Sequence, residues 1–416
     1  MSASTSVGGV LAKEGGVAVI VRISSAQHTA LHHKVKERTM SVQPLRKPAK
    51  PDWRTQLAEI GPRIATEGRA CDANNSYVGA NIKLLREQGF SALAVPAEFG
   101  GAGLSRTELA EMLRTLARYC SSTALAFAMH THPAAAQVWR FHNQKAPVEP
   151  LLKRIGTDRI QLLSSGGSDW LAGSGTATKV EGGYRVSGEK IFASGAPSAD
   201  LFMTTAVEQT PEGPTVLQFG LPVKSEGVSI LDTWDTLGMR GTASQTVKLD
   251  NVFIADAAVS VRRPAGKWHP SMHLVSMVAF PLVYSVYTGV AEAARDIAVE
   301  AAKKRTDPSI AEQVGEMDTE LAAAQIALDS MVAFSETAQP GPETTNVIFK
   351  HRTLVARSAI KTVELAMGVT GGAGYFRSMG LERLFRDIQG ARFHPLTEVP
   401  QRRLAGRLAL GLPIDG

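Results

Sequence analysis

Between about residues 52 and 157 apolar positions recur at spacings of three and four, as Leu109, Met112, Leu113 and Leu116 do, and that period predicts amphipathic helices. A glycine-rich break, Glu98-Phe99-Gly100-Gly101-Ala102-Gly103, interrupts them. From about 158 to 260 short alternating runs take over, among them Tyr184-Arg185-Val186-Ser187-Gly188, Leu201-Phe202-Met203-Thr204-Thr205 and Thr246-Val247-Lys248-Leu249. Gly, Asp and Pro separate these runs, which predicts an antiparallel β domain. After Pro264 the helical period returns and persists through 275–304, 310–337 and 344–369. The chain is therefore expected to be α+β. It divides into an N-terminal helical domain (51–157), a central β-barrel domain (158–262) and a C-terminal helical bundle (263–416), with no internal repeat.

Residues 1–50 lack this patterning; their one apolar patch, Val17-Ala18-Val19-Ile20-Val21, is too short for a membrane span and no small-residue cleavage site follows it. A disordered extension is expected there, and Met40-Ser41-Val42-Gln43-Pro44 reads as a natural start. The 416 residues exceed one ordinary core, and 44% apolar with 20% charged residues is the composition of a globular chain. No apolar run is expected to span a membrane.

The net charge of +6 does not argue for nucleic acid, because the C-terminal arginines (Arg377, Arg383, Arg386, Arg392, Arg402, Arg403, Arg407) stand among acids at helical spacing, as on a solvated or intersubunit face. Cys71 and Cys120 have neither disulfide-framework nor zinc spacing, in keeping with a reducing cytoplasm. Gly371-Gly372-Ala373-Gly374 follows a helix rather than a strand, so it is not a Rossmann fingerprint.

Four collinear stretches carry a family resemblance: Val95-Pro96-Ala97-Glu98-Phe99-Gly100-Gly101, Ser168-Asp169-Trp170-Leu171-Ala172-Gly173-Ser174-Gly175, Gly188-Glu189-Lys190-Ile191-Phe192-Ala193-Ser194-Gly195, and Gly371-Gly372-Ala373-Gly374-Tyr375 with Arg386-Asp387. Together, from about 52 to 412, they resemble the acyl-CoA dehydrogenase superfamily. The resemblance implies an FAD, or FMN as the alternative, lying between the β domain and the C-terminal helices of a cytoplasmic homotetramer. Ser168 and Ser194 take the flavin-contacting hydroxyl positions, Phe192 replaces a tryptophan over the ring, and Gly371 and Gly372 match backbone positions beside the ADP portion. Gly173, Ser174 and Thr397 fall in the same cofactor motifs.

The family's catalytic pattern is broken. Aligning Arg386-Asp387, Thr397, Gln401 and Arg407 without a gap puts His394 at a tyrosine position and Pro395 at that of the catalytic glutamate. The family's other base position aligns near Phe280, where no acid stands. His394 becomes the candidate proton-transfer group, since imidazole titrates near neutral pH. A histidine there is similar to what the superfamily's flavin monooxygenases carry, and Met129-His130-Thr131-His132-Pro133 resembles the location of their second histidine. Residues two apart cannot share one helix face, and His130 is the one expected to look toward the cofactor. Two reactions follow. Oxidation of an acyl thioester by hydride transfer to flavin N5, with an electron-transfer flavoprotein as acceptor, is placed first on the family's prevalence. Two-component monooxygenation of a small molecule by O2 and reduced flavin from a reductase is the alternative that the residues themselves favour.

Overall fold

The computed structural model describes residues 52–165 and 167–415, so the expected extension at 1–50 lies outside the described residues. Among the described residues five helices come first: α1 (Trp53–Asn74), α2 (Gly79–Glu87), α3 (Arg106–Tyr119), α4 (Ser121–Gln144) and α5 (Glu149–Thr157). A reciprocal capping box starts α3: the Glu108 N–H donates to Ser105 Oγ at 3.2 Å, and the Ser105 N–H donates to the Glu108 carboxylate at 2.9 Å.

Eight strands follow: β1 (Leu162–Ser164), β2 (Thr176–Val180), β3 (Gly183–Ala193), β4 (Leu201–Thr210), β5 (Gly213–Pro222), β6 (Val228–Leu231), β7 (Gln245–Ala255) and β8 (Val259–Pro264). Their order in the sheet is β6-β7-β3-β2-β4-β5-β8, with β1 added to β4. The expected antiparallel pattern holds for most pairs, but β1 and β2 run parallel to β4. The two ends of the path, β6 and β8, are not paired with each other, so the sheet is open rather than a closed barrel.

Five more helices complete the chain: α6 (Pro270–Ala302), α7 (Ile310–Thr337), α8 (Pro342–Thr370), α9 (Leu381–Ile388) and α10 (Glu398–Ala409). Two hydrophobic cores result, not three. One lies within the sheet, built on residues such as Phe202, Phe219 and Ile254. The other is shared by the helices before and after the sheet, and α6 is its axis. Every residue from Ser276 to Glu292 is buried, because α3 and α4 pack on α6 from one side and α7, α8 and α9 from others. Gly289 makes the closest approach possible, since a Cβ there would fall 2.2 Å from the Arg114 carbonyl oxygen.

Helix α6 also departs from the sequence expectation that no apolar run reaches span length, being by length and composition apolar enough to cross a membrane. Its apolar window is 94% buried inside the fold, as a helix surrounded on all sides requires.

The Arg386-Asp387 pair is a structural clamp. Arg386 holds Asp72 of α1 with two hydrogen bonds, of 3.0 and 2.6 Å. Asp387, buried, accepts from Ser121 Oγ and from the Met239 N–H. Burial raises its pKa above the usual carboxylate range.

A second clamp joins the turn Gly167–Asp169 to the sheet. Lys190 on β3 donates from Nζ to both Asp169 oxygens at 3.1 and 3.2 Å, and to the Ser174 carbonyl at 2.6 Å and hydroxyl at 2.9 Å. Thr204 of β4 adds a hydrogen bond to Asp169 at 3.2 Å, and Ser174 Oγ adds another. The two charged side chains are 0% and 5% exposed, so removing one leaves the other buried without its counter-charge. Lys190→Met is expected to destabilise the fold by about 3–5 kcal/mol, read from denaturant midpoints, whereas the double change Lys190→Met/Asp169→Leu recovers much of that loss.

Candidate active site

A cavity of about 190 Å³ opens between the sheet and the helices. Met129, Pro133 and Ala136 of α4 and Met272, Val275, Val278, Ala279, Phe280 and Val283 of α6 make its apolar walls. Asp169, Trp170, Met203, Thr204, Thr205, Gln218 and Arg263 make a largely polar floor, and His132, Gln137, Ser164, Ser165, Gly167, His394 and Pro395 complete the lining. Pro395 comes so near the turn at Gly167 that a Cβ on that glycine would sit 2.8 Å from the proline Cγ. Only glycine lets the segment carrying His394 close over the cavity there.

The two histidines of α4 divide as their spacing demands, but in the opposite sense to the one expected. His130 is 2% exposed and both its ring nitrogens are taken, Nε2 lying 2.9 Å from the Ser91 carbonyl and Nδ1 accepting from the Leu162 N–H at 2.9 Å. It is a neutral clamp between α4 and β1, pushed down to about 4 chiefly by burial. His132 is the imidazole on the cavity wall, its Nε2 3.2 Å from Ser164 Oγ.

His394 does line the cavity. Its Nε2 meets the Tyr287 hydroxyl at 2.7 Å, while Arg352 of α8 donates to its backbone carbonyl at 2.9 Å. Burial holds Tyr287 well above the ordinary phenol range, so the hydroxyl keeps its proton and shares one hydrogen bond with Nε2. The neutral ring has one N–H and one bare nitrogen, and Nδ1 is the edge not engaged by Tyr287. Burial pushes His394 down to about 3, with Arg352 adding to the effect. Burial likewise pushes His132 down to about 3, with smaller repulsion from His130 and His394. Both rings are therefore neutral hydrogen-bonding groups at pH 7.

The other motif residues scatter around this centre. Ser168 belongs to the turn Gly167–Asp169, and its side chain lies outside the described part of the chain. Ser174 serves the Lys190 clamp, and Gly173 packs beneath Val216. Ser194 is buried against Ser244, hydroxyl to hydroxyl at 2.7 Å. Phe192 stands 52% exposed at φ 60°, edge-on to Trp234. Gly371 and Gly372 form an exposed turn after α8, and Thr397 is exposed ahead of α10.

His132 stands in the sequence motif as the less favoured of two histidines, whereas Arg263 belongs to no motif. The run Val259-Ser260-Val261-Arg262-Arg263 alternates, and that alternation places Arg263 on the inward side with Val259 and Val261.

Comparison with known proteins follows the same architecture. The N-terminal, middle and C-terminal domain models of acyl-CoA dehydrogenase match residues 59–148, 164–252 and 281–395. Bacillus subtilis (strain 168) YdbM, provisionally named an acyl-CoA dehydrogenase, is 26% identical over 82% of this chain and 92% of its own. L-evernosamine nitrososynthase of a Micromonospora species is 27% identical over 89% of this chain and 93% of its own. The solved structure of KijD3 with FMN and dTDP-3-amino-2,3,6-trideoxy-4-keto-3-methyl-D-glucose superposes with a TM-score of 0.80 at 27% identity, over 89% of this chain and 97% of that one.

The depressed histidines have a consequence for stability. Each titrates near 6.5 once unfolded, so their contribution is complete above about pH 6.5 and is lost as pH falls toward 4 for His130 and toward 3 for His132 and His394. Unfolding at pH 5 is expected to take up about three protons at these positions, seen as the slope of unfolding free energy against pH. His132→Gln should remove about one of them; an unchanged slope would mean that His132 is not buried neutral.

Proposed function

The chain belongs to the acyl-CoA dehydrogenase family, whose members are flavin-dependent enzymes, and on that footing we propose that it is a two-component monooxygenase acting on a small molecule with reduced flavin from a separate reductase. The observation that carries this reading is the pair of neutral imidazoles, His132 and His394, lining the cavity beside Pro395. Dehydrogenation of an acyl thioester needs a base able to hold the α proton. With a pKa pushed down to about 3, His394 is protonated in only about one molecule in 10⁴ at pH 7 and is a weak base. Asp169, the carboxylate of the lining, is already engaged by Lys190, Ser174 and Thr204.

The residues present suit a flavin. Half-exposed Phe192, which lies outside the cavity lining, offers an aromatic face to the ring and leaves the α6 wall and the polar floor to the substrate. Gly371 and Gly372, where an added Cβ would meet nothing within 4 Å, leave backbone bare for the phosphate-bearing end. Phe192, Ser194, Gly371, Gly372 and Thr397 are the residues assigned to hold the cofactor. FMN is the first candidate, because the solved relative holds it, and FAD the second. A bound reduced flavin supplies the two electrons with which O2 gives one oxygen atom to the substrate and the other to water.

The chain's own groups do the rest. With the Tyr287 hydroxyl donating to Nε2, His394 would present an Nδ1–H to oxygen atoms in the cavity without becoming a cation. His132 and Ser164 form a second polar point in the lining. The apolar side chains of α6 keep bulk water from reaching the reacting groups. Homo-oligomeric assembly, a tetramer by family resemblance, would cover Tyr375, Phe376 and Phe393, which are 83%, 67% and 73% exposed.

Supplied with FMN, a flavin reductase and NADH under ¹⁸O2, the protein is expected to place label in an oxidised product from a panel of amine, phenol, indole and carboxylic-acid substrates. His394→Ala should lower that rate about 10²–10³-fold with flavin binding retained. Anaerobic bleaching of protein-bound FAD by saturated acyl-CoA thioesters would overturn the reading in favour of dehydrogenation. Pro395→Glu should gain no such bleaching if monooxygenation is right.

A further inference from the structure

Three buried polar groups without a partner belong to residues lining this one cavity: Arg263 Nε, Thr205 Oγ1 and Trp170 Nε1. Arg263 is 2% exposed and Thr205 8%. The remaining guanidinium nitrogens are held in place, Nη2 donating to the Trp170 carbonyl at 2.8 Å and Nη1 to the Leu171 carbonyl. Carbonyl oxygens orient a guanidinium but do not neutralise it. No carboxylate lies within 4.0 Å of Arg263 among the described residues, and Asp169, which acts on it from farther away, is matched by Lys190. The floor therefore holds one uncompensated buried cation, an arrangement that is costly until a counter-charge arrives.

We propose that Arg263, Thr205 and Trp170 form an oxyanion subsite that takes the carboxylate of the substrate, its apolar body lying along Met272, Val275 and Phe280. All three unpartnered atoms can donate a hydrogen bond, and two of them, the Arg263 and Trp170 N–H groups, can do nothing else, so the complement is an acceptor with several lone pairs. The apolar side of the same cavity sets the rest of the ligand: a carboxylic acid with a small aromatic or aliphatic body. This deepens the monooxygenase reading by naming the substrate class, and it rests on that reading only for the chemistry that follows binding.

The test is binding to the full-length protein at pH 7.5 by titration calorimetry, with and without FMN, using benzoate and its neutral isostere benzamide. Benzoate is expected to bind at least about 10-fold more tightly, and Arg263→Gln to abolish the preference. Should Arg263→Gln fail to fold, Thr205→Val replaces it: the variant removes one donor without altering charge and should weaken benzoate about 5-fold with benzamide unchanged. Absent benzoate binding, equal affinities, or a preference that survives in Arg263→Gln or is untouched in Thr205→Val would each overturn the subsite. Because binding is scored without turnover, a benzoate preference alongside failed oxygenation counts against monooxygenation alone.

Discussion

The cavity exists in its present form because Lys190 and Asp169 meet inside the protein. The turn bearing Asp169 and Trp170 has little regular structure of its own, and the ammonium at its centre draws a carboxylate, a carbonyl and two hydroxyls into one cluster. Such a cluster in a low-dielectric interior tolerates little displacement, since each lost hydrogen bond leaves a buried polar group bare. Trp170 is thereby set against Phe280 of α6 at 5.8 Å between ring centres, and the carbonyls of Trp170 and Leu171 are presented to Arg263. One ion pair thus positions the floor, part of the wall and the orientation of a second cation.

The upper side of the cavity depends on a different device. His394 is carried by an irregular segment between α9 and α10, which by itself would not fix an imidazole. Arg352 on α8 ties that segment through the carbonyls of Ala391 and His394, and Tyr284 binds the Ala391 carbonyl at 2.9 Å from α6. Tyr287, one turn further along α6, sets the ring. The chemistry-bearing side chain is held by long helices although it is not on one, which is how a loop residue acquires a defined protonation state.

The alternation of helical and strand periods made the layer order legible, because burial on one face imposes those periods directly. The Arg386-Asp387 pair was legible as a motif but not as a clamp, since its partners Asp72, Ser121 and Met239 lie far away along the chain. The choice between His130 and His132 turned on which side of α4 faces β1. Spacing fixes only that the two differ, and the Leu162 N–H that captures His130 comes from another element. Arg263 was hidden for a similar reason: an arginine at an inward strand position reads as a surface residue until the strand's phase is known.

The shared helical core has a cost in time as well as a role in packing. α1 to α5 leave the ribosome with their apolar faces bare, and the helix that covers them, α6, begins at Pro270, about 110 residues after α5 ends at Thr157. At about 5–20 residues per second, synthesis leaves that surface uncovered for roughly 5–20 s. The sheet completes in the interval and meets α4 through β1, but the side of α3 and α4 that packs on α6 waits for that helix. The core that the first helices share therefore closes only once α6 has been made.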